Sequence, residues 1–232
     1  MARHSYMDTP RLYLTTIVYL VIMLLLNIIS ARIGAIVTDW TENAVRIIEG
    51  SGAVPLYGRR EWAATIFTFF IDVMMQILAV GYMSFTLNIS RRYPTGMADL
   101  ADGFSMTFKV FALIFLQGMF IFLWSLLLVV PGIIASYRYR QAYYILLDDP
   151  DKSPLQCIRE SKELMLGHKA ELFVLDLSFI GWQFLILISF NILAIWILPY
   201  IETTYAMYYN LLRWPDGVFP PPPLEPEEEE EE

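Results

Sequence analysis

Residues 110–147 read VFALIFLQGMFIFLWSLLLVVPGIIASYRYRQAYYILL, and the way this stretch is divided sets the architecture of the chain. It carries no charge from Val110 to Tyr137. Val110 to Val130 is already twenty-one residues, enough to cross a hydrocarbon core of about 30 Å as a helix. A proline-glycine pair at that point, Pro131-Gly132, can end one helix and start another in the opposite direction. The expectation is therefore a full span, a turn at Pro131-Gly132, and a return over Ile133 to Leu147. Fifteen residues is short for a span, so a re-entrant fourth segment is the alternative.

The flanking sequence supplies the other segments. Leu12 to Ala31 is charge-free for twenty residues, and Trp62 to Ile89 contains only Asp72 as a charge. Leu172 to Ile201 holds Asp176 and is interrupted by Pro199, so by the same reasoning Leu172 to Leu193 is followed by a return over Pro199 to Leu212. Cytoplasmic loops carry an excess of Lys and Arg, which tests the division. With four uninterrupted spans and the N-terminus inside, the inner side holds Arg3, Arg11, Arg91, Arg92, Lys109 and Arg213, six against ten outside. With six segments the inner side gains Lys152, Arg159, Lys162 and Lys169. The ratio becomes ten against four, with Arg138 and Arg140 inside the fourth segment. The sequence predicts an all-α bundle of six membrane segments, the fourth and sixth short, with both termini cytoplasmic.

Composition agrees. Of 232 residues, 56% are hydrophobic, and the mean hydropathy of +0.49 is too high for a soluble domain of this length. The net charge of −8 comes from the tail, since Asp216, Glu225 and Glu227 to Glu232 supply eight of the 24 acidic residues and leave sixteen against sixteen Lys and Arg in the body. Nothing in the body suggests a nucleic-acid surface. From Trp214 onward, prolines and glutamates predict a disordered tail over 215–232 attached to a membrane domain over 1–214. One cysteine, Cys157, excludes an intramolecular disulfide, and His4 and His168 do not form a metal-ligand pattern. The first apolar run is longer than a secretory signal core and lacks a small-x-small cleavage site, so it is read as a retained span.

Between the return segments, Ser153 to Gly167 opens like a capped helix, with Ser153 as N-cap, Pro154 at N1, Gln156 at N3 and Gly167 as the stop. Cys157, Ile158, Ser161, Leu164 and Met165 share one side. Arg159, Glu160, Lys162 and Glu163 share the other, which predicts an amphipathic helix at the cytoplasmic interface or beneath the bundle. A short repeat accompanies the two returns: Pro131, Ile133, Ser136 and Tyr137 align with Pro199, Ile201, Thr204 and Tyr205 as Pro-x-Ile-x-x-(Ser/Thr)-Tyr.

The stretches LWSLLLVVPGII (123–134), YILLDDPD (144–151), SKELMLGHK (161–169), LSFIGW (177–182) and Pro199-Tyr200 resemble a family of bacterial integral membrane proteins catalogued as domain of unknown function 975. The likeness covers Leu123 to Tyr209, extends loosely upstream through Asp99 to Phe104, and does not reach residues before about Trp62. It implies a fold type and a bacterial inner membrane and carries over no catalytic residues. The acidic tail departs from the family pattern. A fainter likeness links the chain to membrane domains that accompany some glycerophosphodiester phosphodiesterases, whose catalytic domain has no counterpart in these residues.

The candidate site residues are the ionisable groups inside predicted segments, namely Asp72, Arg138, Arg140 and Asp176. Intramembrane charges cost roughly 2.5–3.5 kcal/mol each at a helix centre and face a partner or a wet cavity. Matched depths predict that Asp72 pairs with Arg138 and Arg140 with Asp176. Such pairs either pin helices together or form a substrate or ion site. Tyr137, Tyr139, Tyr143, Tyr144, Tyr205, Tyr208 and Tyr209 crowd the two return helices as anchors or ligand-lining groups. No phosphate loop, nucleophile elbow or HExxH motif is present. The expected function is that of a non-enzymatic accessory or interaction protein of the bacterial inner membrane, without metal or cofactor. Its partners would be the lipid bilayer and a membrane protein or a second copy. A small transporter using the four charges is the rival.

Overall fold

The structure, a computed structural model, describes the backbone of residues 9–51, 59–93 and 95–219. Among these the regular structure is helical throughout: α1 (Thr9–Ser51), α2 (Arg59–Ser90), a 3₁₀ turn (Met97–Ala101), α3 (Asp102–Ser105), α4 (Thr107–Leu127), α5 (Val129–Tyr139), α6 (Ala142–Asp148), α7 (Pro154–Leu164), α8 (Lys169–Ile188) and α9 (Ala194–Arg213). Among the described residues four helices are long and apolar enough to cross a membrane, over Arg11–Ala35, Thr65–Ser90, Thr107–Leu127 and Lys169–Ile188. Their outward faces are unsheltered apolar side chains, among them Leu24, Phe70, Phe122, Leu126 and Leu187. In water such a surface would be unstable, whereas lipid tails match it.

The return after α4 begins earlier than expected. Leu128 is the extended residue that breaks the helix, at φ −166° and ψ 153°, and α5 starts at Val129. Pro131 is thus the third residue of α5 and not a turn residue. A proline in the first turn has no intrahelical N–H bond to lose, so its ring only pre-sets φ. The antiparallel course of the return is fixed by contacts: Gly132 against Ser125, the Gln117 side-chain amide donating to the Tyr139 carbonyl at 2.9 Å, and the Lys109 ammonium donating to the Pro150 carbonyl. Together α5 and α6 occupy Val129–Asp148, twenty residues, with a break at 140–141. The expected fifteen-residue segment is too short by its first turn.

Pro199 is corrected in the same way. The chain reverses at 189–193, where Phe190 and Asn191 take positive φ values of 50° and 66°, and Pro199 lies within α9. With Ala194 as first residue, Pro199 is the sixth, past the first turn, so α9 goes without one backbone hydrogen bond there. The last helix is therefore twenty residues long, not a short segment. It runs antiparallel to α8, with Phe179 meeting both Tyr200 and Tyr205 edge to face.

The capped helix expected after Ser153 forms as α7. The Ser153 hydroxyl accepts from the Gln156 backbone N–H at 3.4 Å, and the Gln156 side chain accepts from the Ser153 N–H at 2.9 Å. Gly167 supplies the positive φ, 87°, at the stop. Cys157, Ile158, Ser161 and Met165 are buried against α4, α5 and α6. Burial pushes the Cys157 thiol up to about 11, because the thiolate would have to give up water.

A tight crossing joins α2 to the segment 97–105. A Cβ at Gly81 would overlap the Leu100 carbonyl, and one at Gly103 would overlap the Ile77 carbonyl. The missing side chains let two backbones touch. Gly81→Ala is expected to lower stability by about 1–2 kcal/mol in detergent unfolding, as overpacking against backbone does. Gly118→Ala, which meets nothing within 4 Å, serves as the unaffected control.

Residues 215–219 form no helix or strand, and the Phe219 ring lies 5.7 Å from the Arg91 guanidinium. The rest of the tail expected to be disordered, including the glutamate run, lies outside the described residues.

Candidate functional site

The polar interior is built in two layers. The first sits where α2, α6 and α9 end together. Arg91 donates through Nη1 and Nη2 to the two carboxylate oxygens of Asp148 at 2.6 and 3.0 Å, and through Nε to Asn210 Oδ1 at 2.9 Å. Tyr209 donates its hydroxyl to Asp148 at 2.6 Å, and the Asn210 amide donates to Ser90 at 2.7 Å. The Arg91 and Asp148 side chains are 4% and 8% exposed. This is a forked, charge-assisted clamp whose spare donors and acceptors are also used, the condition under which a buried ion pair is tolerated.

The second layer lies eight residues further along each helix, from Asp148 back to Arg140, from His168 on to Asp176, from Asn210 back to Glu202 and from Ser90 back to Tyr82, which is about 12 Å of helical rise. Here Arg140 Nη1 donates to Asp176 at 2.6 Å, and the guanidinium lies 4.4 Å from the centre of the Tyr205 ring. Tyr137 and Tyr205 donate their hydroxyls to the two oxygens of Asp176 at 2.9 and 2.7 Å. These two tyrosines close the sequence repeat. The repeated motif thus puts one tyrosine on α5 and one on α9, and the α8 carboxylate sits between them.

Of the four candidate residues, the structure brings together Arg140 and Asp176 and leaves Asp72 and Arg138 apart. Asp72 is exposed on α2. Measured from the shared Arg91–Asp148 level, Asp72 is nineteen residues away and Arg138 only ten, a mismatch of nine helical residues, or roughly 13 Å. The expected depth match assumed a turn at Pro131-Gly132 and compared positions from the wrong end. Arg138 instead faces α7, where its carbonyl accepts from the Ser161 hydroxyl at 3.0 Å and its Nε is buried without a partner. His168, before α8, pairs with Glu171 at 2.9 Å, as a residue at a helix start would.

Sequence reading missed Arg91, Asp148 and Asn210 as a clamp because each lies at a segment end, where charge is ordinary. It also passed over Glu202. That carboxyl lies inside the segment Pro199 to Leu212, and its position one turn before the Tyr205–Ala206 face was the available signal.

Beside the second layer, between α1, α2, α9 and the junction of α5 and α6, is a cavity of about 170 Å³. Tyr19, Tyr82, Tyr144 and Tyr205 supply its aromatic walls, and Arg140, Gln141 and Glu202 its polar ones. Tyr19 and Tyr82 stack at 4.4 Å, and Tyr82 is held by Thr16 at 2.9 Å. The Gln141 Oε1 and Tyr144 hydroxyl are buried with no hydrogen-bond partner. Among the described residues no group of three or more His, Cys, Asp or Glu side chains is arranged to hold a metal ion.

Residues 126–214 match the family model described as a protein of unknown function, DUF975. No curated protein and no solved structure matches the chain. The matched stretch contains α5 to α9, hence Arg140, Asp148, Asp176 and Glu202, whereas Tyr19, Tyr82 and Arg91 come from outside it.

Proposed function

We propose that this chain is a six-segment protein of the bacterial inner membrane, with both termini and α7 cytoplasmic, which acts without catalysis as an accessory or interaction protein. The observation that supports it is the pair of antiparallel returns, α5–α6 along α4 and α9 along α8, each twenty residues long. With them, ten of the sixteen Lys and Arg fall on the side that carries Arg91, Lys109 and α7. The paired interior charges serve as helix clamps in this reading. The bilayer and a membrane-protein partner or second copy are its partners.

Topology is testable by thiol access, although not through the native cysteine, since Cys157 is fully buried. In a Cys157→Ala background, Lys162→Cys on the exposed side of α7 is expected to resist a membrane-impermeant maleimide in intact cells and to label after permeabilisation. Ile192→Cys, in the exposed reversal between α8 and α9, is expected to label in intact cells. Labelling of the Lys162→Cys protein in intact cells would refute the returns and the charge bias together.

A second reading, a small-molecule carrier, is favoured by the polar cavity next to Arg140 and Asp176. Asp72 and Arg138 play no part in it, and Glu202 takes their place.

A further inference from the structure

Arg140 and Glu202 line one cavity, carry opposite charge and are not joined by a salt bridge among the described residues. Arg140 gives Nη1 to Asp176 and is engaged with Tyr205 as well, and its fork of five N–H donors exceeds what these two contacts use. Glu202 makes no hydrogen bond or ion pair among the described residues, although it lines the same cavity as Arg140. In a membrane interior, opposite charges in one space either close on each other or are held apart by packing with something between them. Here Arg140 is held back by Asp176 and by its stack on Tyr205.

Two further polar groups of the lining are unsatisfied. Gln141 and Tyr144 are each 2% exposed, and each presents an oxygen without a partner. Such groups cost about 1–3 kcal/mol each when left unpaired, and two of them beside an unpaired carboxyl point to an occupant. The walls between the two charges are tyrosine faces, which attract cations. A cavity of about 170 Å³ is larger than a single bound water needs and fits a molecule of a few heavy atoms.

We propose that this cavity is a binding site for a small zwitterion bearing one carboxylate and one ammonium group, the carboxylate on the spare donors of Arg140 and the ammonium on Glu202. Gln141 and Tyr144 complete the hydrogen bonds of the two ends, and the tyrosine faces enclose the carbon link. A simple anion would leave Glu202 unpaired, and a simple cation would leave the donors that Arg140 does not give to Asp176 or Tyr205 unused, so neither engages both ends of the cavity. The inference deepens the carrier reading but does not require transport.

The test uses the purified full-length protein in lipid nanodiscs and three probes of matched size: β-alanine, propionate and propylammonium. β-Alanine is expected to raise the melting temperature and to bind at least about tenfold more tightly than either single-charge probe. Glu202→Gln is expected to weaken β-alanine binding by about tenfold or more. Tyr144→Phe and Gln141→Leu, which remove oxygens without a hydrogen-bond partner, should weaken it severalfold while leaving the unliganded protein as stable as before, and they carry the readout should Glu202→Gln fail to fold. The proposal is overturned if β-alanine produces no shift, if propylammonium or propionate binds as well, or if all three variants bind undiminished. β-Alanine binding in a protein that shows no flux in vesicles would remove the carrier reading and leave the site standing.

Discussion

Replacing Arg91 with Met is expected to destabilise the protein by about 3–5 kcal/mol, the cost of leaving a buried carboxylate without its counter-charge. Asp148 would lose both guanidinium bonds and keep only the Tyr209 hydroxyl, and Asn210 would lose the donor to its side-chain oxygen. Asp148→Leu should cost a similar amount, because a guanidinium only 4% exposed cannot reach water. The double replacement, Arg91→Met with Asp148→Leu, is expected to recover most of the loss, since well-packed apolar groups can replace a buried ion pair at little cost. Reversible unfolding in mixed detergent micelles measures all three. If the double variant is as unstable as the sum of the single ones, the pair is not a coupled clamp.

The second large effect is expected at Asp176. Asp176→Ala removes the acceptor for Arg140, Tyr137 and Tyr205 at once, and with it the link of α8 to α5 and α9. Interhelical hydrogen bonds in membranes average about 0.6 kcal/mol, so three give roughly 2 kcal/mol. An uncompensated arginine adds to this, although Arg140 is 37% exposed and can draw on solvent or the cavity, which moderates the penalty. About 2–3 kcal/mol is the expected total. Tyr137→Phe and Tyr205→Phe should each cost about 0.6 kcal/mol in the same measurement. By contrast Asp72→Asn, on an exposed face, is expected to leave unfolding unchanged. A large loss at Asp72 with none at Asp176 would reverse the assignment of the structural charge.

The sequence by itself determined whatever depends on order along one helix. Uninterrupted apolar runs set the helical class and the membrane-crossing candidates, because only a helix satisfies its own backbone in lipid. Helix α7 was legible down to its cap, since the Ser153–Gln156 exchange spans three residues and its two faces differ in polarity. The Arg140–Asp176 pair was legible because both residues stand within seven positions of the same side of their expected segments, which end at Leu147 and start at Leu172. Only the tertiary structure decided the rest. An apolar helix whose neighbours and solvent are equally apolar carries no moment to fix its rotation, so the sequence gives depth without direction. That is why Asp72 was assigned a partner although it points outward, and why Arg91 could not be joined to Asp148 and Asn210, which are 57 and 119 residues distant. The same holds for the cavity: α1 and α2 bring Tyr19 and Tyr82 against Arg140 and Glu202, and only the packing of four separate elements encloses the space between those charges.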